Sequence, residues 1–419
     1  MASYLMDIIY SMTCCFPGSP QLRINSRSFK ILRLLGEGGF SYVYLVQDTS
    51  THALYALKKI RCPFGQESVS QALKEVEAYT LFSPHPNIIA SIDHSVASER
   101  SDPGAKTVYI LLPYYRRGNL QDMINANLVN HTRFPERRLM VLFLGVARAL
   151  KAMHQYRVGG APGGKRSQRG AKKVRREAEA EDREAQEEVE ANQGRRRLRR
   201  EMTAEEEMEE PLMEGEVTMS QEGVPEGEVR AYAHRDIKPG NIMIDDDGRT
   251  PILMDLGSLA PSPTAITSRS LALAVQDTAA EHSTMPYRAP ELFDVKTGSI
   301  VDTKVDVWSL GCTLYACLVG KSPFEARSEE TGGSLSLCVL GGDWRFPDEG
   351  AQGGGHGRQK KPVEEGGKTD EESISEPVRD VVRRCLKVEP NERPDVDELI
   401  GIIEDVLEAL GGPEAEVDE

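Results

Sequence analysis

Four side chains at fixed spacing could carry chemistry: Asp236, Lys238 and Asn241 in His234-Arg235-Asp236-Ile237-Lys238-Pro239-Gly240-Asn241, and Asp255 in Met254-Asp255-Leu256-Gly257. A carboxylate, a lysine and an amide, followed after an apolar run by a second carboxylate on a tight turn, are the parts that metal-assisted phosphoryl transfer requires. Mg2+ is a hard cation that takes oxygen from carboxylates, amides and phosphates, so Asn241 and Asp255 are the candidate ligands. The stretch closes on Thr284-Met285-Pro286-Tyr287-Arg288-Ala289-Pro290-Glu291.

The elements that must position these groups are legible from hydrophobic period. Residues 29–35 alternate as a strand, Gly36-Glu37-Gly38-Gly39-Phe40-Ser41-Tyr42-Val43 makes a turn, and residues 44–47 resume the strand. Glycines there let backbone amides approach a triphosphate, because no side chain blocks them and positive φ is allowed. A dinucleotide fold would need a helix after the glycines and an acidic residue on a second parallel strand; the following segment is strand-like, so a hairpin is expected. Residues 54–59 read as an apolar strand with Lys58 at its end and Lys59 as a solubilising neighbour. Residues 70–82 have helical spacing and carry Glu75 and Glu77. Residues 108–112 read as a buried strand, and 136–155 as a helix with an apolar face.

Taken in order from Gly36 to Arg393, these motifs resemble a eukaryotic protein kinase. The segments around 35–43, 111–115, 254–258 and 273–280 resemble the numb-associated kinase family. The resemblance implies an α+β bilobal fold: a small antiparallel-sheet lobe with one helix, and a large, mainly helical lobe. It implies ATP and Mg2+ as cofactors and Ser/Thr hydroxyls of proteins as acceptors. In that frame Asp236 accepts or orients the acceptor proton and Lys238 neutralises charge on the γ-phosphoryl group. Asn241 and Asp255 hold the metal, and Lys58, oriented by Glu75, holds the α- and β-phosphates. Register against His85-Pro86-Asn87 favours Glu75 over Glu77. The nucleotide contacts implied are Gly36, Glu37, Gly38, Gly39, Phe40, Ser41, Val43, Ala56, Lys58, Glu75 and Leu112, with Pro113, Tyr114 and Tyr115 as the hinge. Leucine replaces the usual phenylalanine at 256. Thr284 with Lys238 favours Ser/Thr over Tyr acceptors. Arg235 is expected to pair with a phosphate on the hydroxyl-rich segment 258–283, whose residues 270–280 match the family's extra structure. Asp306 and Arg393, the latter expected to pair with Glu291, are architectural.

Composition bounds the rest. The chain has 419 residues, 28% of them charged, and a formal charge of -15, which argues against a nucleic-acid partner. Seven cysteines without zinc-type spacing suit a reducing compartment. The longest apolar run, 139–147, is far short of the roughly 20 residues that span a bilayer, and the N-terminus carries no secretory pattern. Cys14 and Cys15, flanked by apolar residues, are candidate S-palmitoylation sites, against the alternative of two incidental thiols; Ala2 rules out myristoylation. The division expected is an arm over 1–28, small lobe and hinge over 29–115, and large lobe over 116–156 and 230–411. A charged, disordered insertion over 157–229, a low-complexity loop over 348–372 and an acidic tail over 412–419 complete it. Membrane association through the arm, and a family of Golgi- or vacuole-associated members, imply the cytoplasmic face of endomembranes with a cytosolic pool. The alternative output is a membrane-tethered adaptor of the same fold acting through the charged insertion.

Overall fold

In the computed structural model, residues 21–63, 66–98, 105–158, 228–349 and 373–411 are described. The candidate cysteines 14 and 15 and nearly all of the charged insertion, the low-complexity loop and the tail lie outside these. Of residues 157–228, only 157, 158 and 228 are described.

The small lobe is a six-stranded sheet of β1 (Gln21–Ile24), β2 (Arg27–Glu37), β3 (Ser41–Asp48), β4 (Leu54–Cys62), β5 (Asp93–Ser98) and β6 (Lys106–Pro113), in the order β1-β2-β3-β4-β6-β5. All neighbours are antiparallel. The sheet starts earlier than the patterning placed it, since β1 falls inside the stretch read as an arm. Ile24 is fully buried with Phe29, Val46, Leu57 and Leu111 in one apolar cluster, and a four-residue strand is too short for its alternation to be read alone. Asn25, at the β1–β2 turn, donates to Asp93 Oδ1 (2.8 Å) and His94 O (3.1 Å) on β5, tying the two outer strands together. The helix α1 (Gln66–Leu81) packs on β4 and β6.

The large lobe begins with α2 (Leu120–Asn130), which opens on an Asn119/Asp122 capping box, and α3 (Glu136–His154), whose apolar face is buried. Three short strands follow: β7 (Ala231–Ala233), β8 (Ile242–Ile244) and β9 (Pro251–Leu253); β8 and β9 make a hairpin. Gly145 lets α3 approach β9, because a Cβ there would lie 2.5 Å from Pro251 Cγ. Next come β10 (Ala260–Ser262), β11 (Thr264–Ala265), α4 (Arg269–His282) and β12 (Ile300–Val301). The core is α5 (Lys304–Val319), buried from Val305 to Cys317. Against it pack α6 (Pro323–Thr331) and α8 (Glu376–Cys385); α7 (Leu335–Gly341) lies on α6, and α9 (Val396–Ala409) lies on α3 and α8. The expected α+β division into a sheet lobe and a helical lobe is present. No helix among the described residues is long and apolar enough to cross a membrane.

Candidate active site

Asp236 sits between β7 and β8 on a loop that two buried groups hold. The Asp306 carboxylate, wholly buried at the start of α5, accepts from the backbone N–H groups of His234 (Oδ2, 2.8 Å) and Arg235 (Oδ1, 2.8 Å) and from His154 Nε2 (2.9 Å). Burial opposes its charge, yet these donors hold its carboxyl below the usual range. Asp306, expected to be architectural, thus ties down the loop backbone, and His154, to which sequence reasoning gave no role, completes the tie. Arg235 sits at φ 69°, a conformation that costs a non-glycine residue of order 1–3 kcal/mol and persists where surroundings impose it.

Every oxygen of the Asp236 side chain is occupied. Oδ2 accepts from Lys238 Nζ (2.7 Å) and Asn241 Nδ2 (3.0 Å); Oδ1 accepts from the Thr284 backbone N–H (2.9 Å) and Oγ1 (2.7 Å). Lys238 also donates to Thr284 Oγ1 (2.7 Å). Asp236, Lys238 and Asn241, picked out by type and spacing, thus meet, with Thr284 supplied from a segment 48 residues on.

Lys58 forms the second focus. Its Nζ lies 2.8 and 2.9 Å from the two Glu75 oxygens and 2.9 Å from Asp255 Oδ1. Burial works against the ammonium, but Glu75 and Asp255 outweigh it and raise its pKa; Lys58, in turn, lowers that of Asp255. Tyr79, one helical turn beyond Glu75 on α1, donates to Glu75 Oε1 at 2.5 Å. Sequence reasoning passed over Tyr79, although its i,i+4 spacing from Glu75 was a usable signal. Glu77 is exposed, in keeping with the choice of Glu75. Leu256, in place of the usual phenylalanine, is buried, while Asp255 itself has a left-handed backbone, φ 62°.

The nucleotide-contact candidates frame these groups. Val43 pairs with Lys58 across β3 and β4, and Ala56 pairs with Leu112 across β4 and β6, so Val43, Ala56 and Leu112 line up beside the lysine. Pro113 pairs with Tyr55 at the end of β6. Tyr114 and Tyr115 follow, and burial with Asp245 and Asp246 nearby pushes the Tyr115 phenol up to about 12. In the glycine turn Gly38 N–H donates to Ser41 O (2.8 Å), and Phe40 is exposed. One expectation is corrected here: Gly36, Gly38 and Gly39 have no positive φ. A Cβ on Gly36 or Gly39 would meet nothing within 4 Å. The local backbone could hold alanine; bareness matters only to something approaching from outside.

The hydroxyl-rich segment 258–283 is occupied with structure. Ser268 caps α4 by accepting from Leu271 N–H, Ser258 Oγ donates to His282 O (2.6 Å), and Thr278 bonds back to Ala274 O (2.8 Å). Residues 270–280, expected to carry extra structure, lie in α4. Arg235 Nη2 reaches Thr264 Oγ1 at 3.4 Å, while its Nε is buried without a partner. Farther out, Arg393 pairs with both Glu291 oxygens (2.7 and 2.8 Å), as expected, and donates to the carbonyls of Lys387, Val388 and Lys304.

Asn241 commits its amide nitrogen to Asp236, leaving its carbonyl oxygen as the end that can meet a cation, and Lys58 takes one oxygen of Asp255. This oxygen set fits a hard divalent ion. Among the described residues no group of three or more His, Cys, Asp or Glu could hold a metal by itself, so a cation here needs further oxygens, such as those of a phosphate chain.

Comparison with known proteins agrees with this geometry. A model of the protein kinase domain matches residues 29–159 and 228–402. The chain is 33% identical over 417 residues to serine/threonine-protein kinase ENV7 of Saccharomyces cerevisiae, covering 97% of this chain and 100% of the relative. It is 32% identical over 385 residues to serine/threonine-protein kinase ppk13 of Schizosaccharomyces pombe, covering 91% of each. It is 30% identical over 317 residues to serine/threonine-protein kinase 16 of Homo sapiens, covering 75% of this chain and 77% of the relative.

Proposed function

We propose, from the premise that this chain belongs to the protein kinase family and is a serine/threonine protein kinase, that Asp236 and the groups on it carry the transfer step. The observation that bears most weight is the Asp236 carboxylate held at both oxygens by Lys238, Asn241 and Thr284. A carboxylate so fixed can orient an incoming Ser or Thr hydroxyl and take its proton as oxygen bonds to the γ-phosphorus and the bond to the β–γ bridging oxygen breaks. Lys238, already within reach of the same hydroxyl position, offsets charge on the transferring group. Lys58, pinned by Glu75, binds the α- and β-phosphates, and the glycine turn gives its backbone amides access to them. Asn241 and Asp255 would hold Mg2+, which when bound neutralises phosphate charge. Leu112 and the hinge Pro113, Tyr114 and Tyr115 border the adenine.

Transfer of labelled γ-phosphate from ATP to a generic serine/threonine protein substrate tests this, with Asp236→Asn and Asp255→Ala as controls. Both variants are expected to lose activity by about 10³-fold or more; equal labelling by the wild type and Asp255→Ala would refute the assignment.

The cysteine pair 14 and 15 supports membrane attachment by S-acylation, and with it a place on the cytoplasmic face of Golgi or vacuolar membranes. One or two acyl chains would supply the affinity that no described helix supplies by spanning. Hydroxylamine-sensitive acyl labelling should be present in the intact chain and absent from Cys14→Ser/Cys15→Ser; an unlabelled wild type sinks this reading.

A further inference from the structure

Charge is unevenly spread along this acidic chain. Residues 1–36 hold Arg23, Arg27, Lys30 and Arg33 against Asp7 alone, in a chain whose formal charge is -15. Residues 21–36, which build β1 and nearly all of β2, contain no acid. Protein surfaces ordinarily interleave both signs, and a block of one sign makes a field that a partner of the other sign can meet.

Strand register sorts these four cations. Opposite residues of an antiparallel pair share a face, as do residues two apart on one strand. Arg27 lies opposite Ile24, on the side of the apolar cluster that Ile24 and Phe29 build. There it pairs with Asp48 (2.9 Å), and its guanidinium lies 5.2 and 4.8 Å from the centres of the Phe29 and Tyr55 rings. Arg23 lies opposite Ser28, two residues before Lys30. Lys30 lies opposite Gln47, and Arg33 opposite Leu45, two residues before Gln47; the irregularity between Ile31 and Arg33 keeps Arg33 in phase. Arg23, Lys30 and Arg33 therefore share the face turned away from that cluster. All three are exposed, and none makes an ion pair among the described residues; Arg33 donates only to Tyr114 Oη, at 3.4 Å. The fold uses Arg27 and leaves the other three unneutralised.

The chain that leads into β1 argues for their occupant. The arm with Cys14 and Cys15 joins the sheet at Gln21. From Cys15 to Arg23 an extended chain reaches at most about 29 Å, so an acyl chain in a bilayer would hold this face beside the lipid headgroups. One acyl chain alone binds marginally, and a group of cations is a second signal that makes attachment stable.

We propose that Arg23, Lys30 and Arg33 form a contact face for an anionic lipid surface. This deepens the membrane reading and rests on it. Each cation near such a surface strengthens binding about fivefold, and the three together about a hundredfold; salt screens the attraction.

The test uses the full chain with Cys14→Ser/Cys15→Ser, held by an N-terminal hexahistidine tag to phosphatidylcholine vesicles that contain a little nickel-chelating lipid, with or without about 30% phosphatidylserine. In flotation at about 0.1 M salt, phosphatidylserine should lower the lipid concentration for half-binding about tenfold or more, and about 0.5 M salt should remove that gain. Adding Arg23→Gln/Lys30→Gln/Arg33→Gln should abolish the gain while leaving binding to phosphatidylcholine vesicles and the thermal midpoint as they were, which also reports that the variant is folded. No gain from phosphatidylserine, or a gain that survives the three glutamines, overturns the proposal. A polyglutamate peptide that binds through the three cations, with no gain from phosphatidylserine, would assign the face to an acidic protein and would equally overturn it. Because the tag replaces the acyl chains, this result is independent of whether Cys14 and Cys15 are acylated, which the hydroxylamine labelling decides separately.

Discussion

The substitution Asp306→Asn changes one atom in a wholly buried site, and its cost can be worked out from the contacts. The carboxylate accepts at Oδ2 from His234 N–H and His154 Nε2 and at Oδ1 from Arg235 N–H. In its better orientation the introduced amide keeps an oxygen where Oδ2 stood and turns its NH2 toward the Arg235 N–H, donor against donor. The loop then loses one charge-assisted bond, about 1.5–3 kcal/mol, and gains an unsatisfied buried donor, about 1–3 kcal/mol. A destabilisation of about 3–5 kcal/mol follows, which lowers the thermal midpoint by roughly 2–4 °C per kcal/mol. Arg235, no longer held at φ 69°, relaxes and moves Asp236, so turnover should fall even where the protein is folded. The pH dependence has a definite sign. The folded-state pKa of Asp306 is lowered, so its stabilisation is present above the unfolded value near 4 and fades as pH falls through the folded one. Denaturant melts of both proteins at neutral pH and down through pH 4 should show a gap that narrows as pH falls. A gap under about 1 kcal/mol at neutral pH, with unchanged kcat, would refute the reasoning.

Two further substitutions separate ligand binding from stability. For Gly39→Ala, open space around the added methyl predicts a thermal midpoint within about 1 °C of wild type, with KM for ATP raised about tenfold because the methyl meets the nucleotide instead of the protein; thermal melts and ATP titrations of initial rate decide it. Arg393→Leu removes a side chain that binds Glu291 and three carbonyls under the Trp308 ring. It should cost about 3 kcal/mol or more in denaturant melts, the penalty for stranding a partly buried carboxylate and three carbonyls, with kcat per folded molecule close to wild type.

Much of the site is legible because its signals are local. Asp236, Lys238 and Asn241 are separated by covalent spacing that no packing can alter, and the strand bearing Lys58, which runs on to Cys62 instead of ending near the lysine, and the helix bearing Glu75 follow from period and register. The order of these motifs along the chain was enough to name the fold. What escaped depends on contacts between distant residues. The bond from Lys58 to Asp255 closes over 197 positions, and nothing near either residue announces that one oxygen of Asp255 faces the lysine. Thr284 could be read as a specificity residue but not as a donor to Asp236, and His154 became a partner of Asp306 only when the end of α3 met the start of α5. Of the two reasons that singled out the glycines, positive φ is not used, since their backbone is ordinary; the missing side chain is what counts, with the open space at Gly36 and Gly39, a property of the folded lobe, leaving room for phosphate. The strand β1 shows the same limit from the other side, since four residues have too short a period to be read but, with Ile24 buried against Phe29 and Leu111, ample apolar contact to fold. Composition and spacing determined which chemistry this chain carries; only tertiary packing decided which atoms restrain Asp236, because the free energy that holds them comes from burial shared between elements far apart in the sequence.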